Sequence, residues 1–167
     1  MGRRAGSIWS SNRSDQARAH PQGANAGNLQ PRETLYDLGA GDGRVLVIAA
    51  REFGARAVGI EIGLLQCLVA WLAALFNGVR QEVRIEQGDF FKADLRPADV
   101  VFAYLTSAQA ERLQGRLAFQ LRPGARVVTI SFDLPGWAAA SFDNEHLIFL
   151  YRISNANNQR LAKIDET

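Results

Sequence analysis

Cysteine occurs once in this 167-residue sequence, methionine once and histidine twice. One thiol excludes an intramolecular disulfide, and two scattered histidines complete no cluster spaced to hold a metal, so no metal site is expected. The chain suits a reducing compartment, and a cytoplasmic location is expected. No apolar run is long enough to cross a bilayer, and residues 1–30 lack the apolar core of a secretory signal. Excess charge is missing too. A net charge of +2 is too small for a nucleic-acid footprint, and no nucleic-acid partner is expected. What remains, 47% apolar and 22% charged, is the composition of one globular domain.

Along the chain, residues 1–30 show neither helical nor strand periodicity and read as a disordered tail. The domain is expected over 31–153, with a polar C-terminal tail at 154–167. Residues 34–38 read as a strand and 44–53 as a helix stopped by Gly54. Residues 57–61 form a continuous apolar strand ending in an acid, which suits the interior of a parallel sheet. Residues 63–76 predict a helix that is apolar nearly all round, with Leu64, Leu65, Leu68, Val69, Trp71, Leu72, Leu75 and Phe76 covering more than one face. The expectation is an unusually buried helix, with a homo-oligomer or partner surface as the alternative. Cys67 within it reads as a small core hydrophobe.

Further strands are expected at 83–87, 99–104 and 126–132, and a last one runs through 146–153. An amphipathic helix spans 106–120, where Thr106 and Gln109 have the spacing of a capping box. Pro123-Gly124 supplies a tight turn. Strand–helix alternation of this kind predicts an α/β fold, a Rossmann-like doubly wound and mostly parallel sheet.

The most informative stretch is Leu35–Arg44, where a strand ending in Asp37 runs through Gly39, Gly41 and Gly43 into a helix. Glycines there let a ligand approach the backbone, and the helix turns its free N–H groups toward the loop. A dinucleotide fingerprint requires Gly-x-Gly-x-x-Gly, but here the third glycine comes one place early. Asp37 and Asp42 would repel a pyrophosphate and attract an ammonium or sulfonium group. Glu61 ends the second strand, where an acid accepts from both hydroxyls of a ribose. Asp89 ends the third and is placed to accept from an adenine amine, with Phe90 against the purine face. An amino acid, a ribose and an adenine met by three strand ends describe S-adenosylmethionine.

Tyr36–Arg44, Gly59–Ile62, Gly88–Phe91, Asp99–Tyr104 and Leu121–Thr129 resemble the successive motifs of class I S-adenosylmethionine-dependent methyltransferases. The sequence is most similar to their small single-domain archaeal and bacterial members, which include protein-lysine methyltransferases related to the mitochondrial lysine enzymes. Asp37–Arg44 matches their Asp-Leu-Gly-x-Gly-Asp-Gly-Arg loop, and Phe132–Trp137 their Phe-x-x-x-Gly-Trp segment. The resemblance implies the class I methyltransferase fold with a C-terminal antiparallel strand. It implies S-adenosylmethionine as cofactor, with S-adenosylhomocysteine as product. It also implies cofactor contacts at Asp37, Gly39, Ala40, Gly41, Asp42, Gly43, Glu61, Ile62, Asp89 and Phe90. Two features depart from the pattern: residues 1–30 match no covering N-terminal helix, and helix 63–76 lacks the usual charged outer face.

For the acceptor, Tyr104 at the end of the fourth strand is the best-placed residue to line a channel, followed by Phe132 and Trp137. The Asn/Asp-Pro-Pro-aromatic motif used on amide and exocyclic amines is absent at 103–106, and no Pro-Cys nucleophile is present. The resemblance implies N-methylation of lysine in a protein substrate. The alternatives are a small-molecule methyltransferase, or a non-catalytic S-adenosylmethionine-binding subunit that needs a partner.

Overall fold

The structure, a computed structural model, describes residues 27–154. The tails expected at either end therefore fall mostly outside the described residues. Strands β1 (Thr34–Leu38), β2 (Arg56–Glu61), β3 (Val83–Gln87), β4 (Val100–Ala103), β5 (Arg126–Ile130), β6 (Ser141–Asp143) and β7 (Ile148–Arg152) alternate with helices α1 (Arg44–Phe53), α2 (Leu64–Phe76) and α3 (Ser107–Gln120). The strands form one sheet in the order β3-β2-β1-β4-β5-β7-β6. The first five run parallel, whereas β7 lies antiparallel to β5 and β6 antiparallel to β7.

β1 is buried from Leu35 to Leu38 and β5 along its whole length, as strands covered on both faces must be. One layer of core lies under α1 and α2, joining Val45, Leu46 and Ala74 to Leu35, Phe102 and Val128. A second layer joins Ala110, Leu113 and Leu117 of α3 to Tyr36, Val101 and Tyr151. The expected caps are present. Gly54 ends α1 in the left-handed region, and Thr106 and Gln109 close a reciprocal capping box at the start of α3.

Four features differ from the sequence-based expectation. The packed body starts earlier than residue 31, because Leu29 is 4% exposed and sits in the first core layer. β5 stops at Ile130 rather than 132, since Ser131 turns to φ 68 and donates its N–H to Leu147 O. A short edge strand, β6, pairs with β7; its three residues are all exposed and carry no apolar alternation that would mark them.

The fourth difference concerns α2, which is not the buried helix expected. It seats only Cys67, Ala70 and Ala74 against the domain and turns its large residues outward. Small residues inside permit a close approach that large ones would not. A Cβ at Gly43 would stand 2.7 Å from Ala70 Cβ. The all-round apolarity therefore reflects a seat of small residues and an outward face of large ones, with Cys67 in the seat as expected.

Candidate active site

The strand order reverses between β1 and β4, and ligands of open α/β sheets bind beyond the carboxyl ends of the strands at that point. The structure brings the ends of β1, β2 and β3 together there. The β1–α1 loop hangs on β2, because Gly39 and Ala40 N–H both donate to Ile60 O, at 2.9 and 3.2 Å. Gly39 has φ +85, and a Cβ built on it would meet nothing within 4 Å. Its glycine is thus required by backbone conformation and leaves open space above the loop.

Glu61 is held in place rather than merely exposed. Its Oε2 accepts from Gly41 N–H and its Oε1 from Gly63 N–H, each at 2.9 Å. The carboxylate so bridges the glycine loop and the start of α2. The sequence did not single out Gly63 or Gly59. A Cβ at Gly59 would lie 2.8 Å from Ala40 Cβ and 2.5 Å from Leu46 Cδ1, so this glycine lets the loop and α1 close on β2. The available signal was a glycine within an otherwise β-branched strand.

Asp37 is 4% exposed at the foot of the loop. Burial first, then the neighbouring Asp42 and Glu61 carboxylates, push its carboxyl up to about 8. Among the described residues no hydrogen-bond donor or cation offsets those three influences. Asp42 faces outward, where Oδ1 accepts from Arg44 N–H and Oδ2 pairs with the Arg44 guanidinium at 2.9 Å. At the β3 tip, Asp89 Oδ1 accepts from Phe91 N–H at 2.9 Å and caps the short 3-10 turn Phe90–Lys92. The Phe90 and Phe91 rings are 4.5 Å apart there. Ile62, which follows Glu61, is exposed, and Ala40 is buried beneath the loop.

These residues fit a cationic adenosyl cofactor. The Glu61 carboxylate and the buried Asp37 carboxyl, which a neighbouring cation would ionise, suit a sulfonium and an ammonium group better than a pyrophosphate. Glu61, pinned by two backbone N–H groups, keeps lone pairs for ribose hydroxyls.

The acceptor side is less concentrated. Tyr104 follows β4 directly and is 38% exposed. Phe132 is 5% exposed and belongs to the second core layer. Its carbonyl accepts from Thr129 Oγ1 at 2.6 Å. Trp137 is half-buried, edge-on to Tyr151 at 5.9 Å between centroids. Tyr151 in turn accepts from Leu134 N–H at 2.9 Å through its hydroxyl. Phe132 and Trp137 thus fasten the segment after β5, while Tyr104 presents the most surface of the three. Among the described residues no group of three or more His, Cys, Asp or Glu side chains is arranged to hold a metal.

Comparison with known proteins agrees with this geometry. The sequence model of the ANTKMT methyltransferase domain matches residues 37–141. A protein-lysine N-methyltransferase of Saccharolobus islandicus is 35% identical over 128 residues, covering 72% of this chain and 80% of that protein. The adenine nucleotide translocase lysine N-methyltransferase of Mus musculus is 36% identical over 104 residues, 62% of this chain. The match spans 45% of that mouse protein, so the chain covers less than half of the longer relative. Among solved structures, an RNA methyltransferase from Salinibacter ruber in complex with S-adenosyl-L-homocysteine superposes with a TM-score of 0.79 and 34% identity, covering 89% of this chain and 95% of that one. A buried acid under a glycine loop, a fixed acid on the next strand and these likenesses lead to one assignment: the chain belongs to the ANTKMT methyltransferase domain family, enzymes whose methyl donor is S-adenosylmethionine.

Proposed function

We propose that this enzyme N-methylates lysine side chains of a protein. The observation that carries the reading is the likeness to the archaeal protein-lysine N-methyltransferase, which extends over 80% of that protein. When bound, S-adenosylmethionine supplies a methyl group on a positively charged sulfur. Asp37 and Glu61 hold and orient that cofactor, Gly39 and Gly41 let it approach the backbone, and Asp89 with Phe90 receives the adenine.

Methyl transfer needs in-line alignment of acceptor and donor more than it needs a protein nucleophile. A lysine must first lose its proton, against a reference pKa of about 10.4. Tyr104 offers an aromatic face at the β4 tip, where partial desolvation favours the neutral amine and the ring tolerates a methylated ammonium product. Phe132 and Trp137 pack in the core layer that holds Tyr151, Trp137 edge-on to its ring.

A second reading has its own support. The Salinibacter ruber neighbour, alike over 95% of its chain, is an RNA methyltransferase. The small net charge of +2 argues against RNA as acceptor here. Labelled S-adenosylmethionine added with the enzyme to a cell extract distinguishes the two. Label removed by protease and recovered as methyl-lysine is expected. Label removed by ribonuclease, or confined to small molecules, would overturn the lysine assignment.

A further inference from the structure

The outward face of α2 is the largest feature of the molecule that methyl transfer does not use. From Ile62 to Asn77 the sequence carries no charge. Ile62, Leu64, Leu65 and Phe76 are 73%, 71%, 68% and 81% exposed, and Leu68, Val69, Trp71 and Leu75 are also exposed. Together they form a run of exposed large apolar side chains along one helix, which is unusual for a monomer surface.

Two arginines stand at the rim of this face, alongside the exposed acids Glu52 and Glu82. Arg80 lies 5.6 Å from the Trp71 ring centroid and donates to Val83 O. Arg51 donates to Asn77 Oδ1 at the C-terminal end of α2. Neither guanidinium is in a salt bridge among the described residues. Arg51 lines the groove between α1 and α2 with Val69 and Ala73, where the acid present, Asp42, is paired to Arg44.

We propose that the α2 face docks the enzyme on an anionic lipid surface, with its large side chains in the headgroup–acyl boundary and Arg51 and Arg80 at the phosphates. At 13 residues α2 cannot cross a bilayer, so it lies along the surface. A tryptophan at the edge of such a face, with an arginine over its ring, suits the interfacial layer. The patch offers few polar partners of the kind that fix a protein–protein interface, which carries about one hydrogen bond per 100–200 Å². Because α2 begins three residues after Glu61, docking would hold the cofactor site close to the membrane plane. This inference depends on the surface of α2 and not on the identity of the acceptor.

The test is co-sedimentation of the full chain with vesicles of phosphatidylcholine alone or mixed with phosphatidylglycerol, at low and high salt. Binding to the anionic vesicles that weakens with salt is expected. L65E/L68E, at exposed positions, should reduce it at least roughly tenfold, while R51E/R80E should abolish the preference for anionic lipid. Calorimetry with S-adenosylmethionine, unchanged in L65E/L68E, shows that this variant is folded and separates failure of docking from failure of the methyltransferase reading. Absence of binding to either vesicle would overturn the proposal. So would a wild-type dimer in sedimentation analysis that L65E/L68E dissociates, because α2 would then pair with a second copy.

Discussion

Glu61 and Gly41 are joined across the active site: the carboxylate Oε2 accepts the Gly41 N–H at 2.9 Å, tying the β2 tip to the glycine loop. The same side chain accepts from Gly63 through Oε1, so one acid sets both the loop and the entry to α2. Removing it costs a charge-assisted bond to the protein and an acceptor for the cofactor. Glu61→Ala is therefore expected to weaken S-adenosylmethionine binding by roughly 10–100-fold, the range of hydrogen bonds to charged groups. Glu61→Gln, which keeps one oxygen, should lose less. Isothermal calorimetry measures both.

Asp37 links stability to pH. Folded, it keeps its proton up to about pH 8, whereas the unfolded side chain releases it near the ordinary carboxyl value of 3.8. The folded state binds the extra proton between those values, so stability of the cofactor-free protein falls as pH rises from about 4 to about 8 and levels off above. The Asp37 contribution has a limiting slope of about 1.4 kcal/mol per pH unit. Asp37→Asn should abolish that dependence and stabilise the cofactor-free enzyme at pH 8, as urea unfolding at several pH values will show.

The same residue makes cofactor binding proton-linked. A cation settling beside Asp37 favours the carboxylate, so binding below pH 8 should release a proton and tighten as pH rises. Calorimetry in buffers of different ionisation enthalpy reads that proton directly. Asp37→Asn should bind S-adenosylmethionine at least roughly 100-fold more weakly, with no proton release. Its greater stability would show that the acid is retained for binding and not for the fold.

Gly43 is fixed by packing and conformation together. It has φ +76, and a Cβ there would fall 2.7 Å from Ala70 Cβ and 2.8 Å from Ala70 Cα. Gly43→Ala should destabilise by about 2–4 kcal/mol, combining left-handed strain with overpacking. Pairing it with Ala70→Gly removes the side-chain part of the clash. The double-mutant cycle should therefore show a favourable coupling of about 1 kcal/mol, measured by denaturant unfolding.

Tyr104 and Phe132 should behave differently on mutation. Tyr104 is half-exposed at the β4 tip, so Tyr104→Ala should lower kcat/KM at least roughly tenfold with little change in cofactor affinity, and Tyr104→Phe should recover most of it. Phe132 is core, and Phe132→Ala should cost about 3–5 kcal/mol of stability whatever the substrate. Turnover, cofactor binding and unfolding measured on the same variants check the contrast.

Local order was legible wherever the code is local. β3 and α1 fall at the residues their periodicity marks, Gly54 and Gly124 take the positive φ that their turns require, and the Thr106–Gln109 box closes as spaced. The conformation of the glycine loop was legible for the same reason, since Gly39, Gly41 and Gly43 all take positive φ. The β6–β7 pairing was not, because Ser141–Asp143 is short, exposed and held by backbone hydrogen bonds to a partner strand.

By itself the sequence determined the alternation of strands and helices, the acid and glycine content of the loop, and thereby the sign of charge the site would accept. Tertiary structure alone decided which side of α2 faces the sheet. Periodicity reports that a helix is apolar on every side, but only the Ala70–Gly43 contact shows that the small residues were chosen for the seat. It also decided that Asp37 is buried beside two other carboxylates, because β1, β2 and the loop converge only after the sheet has formed.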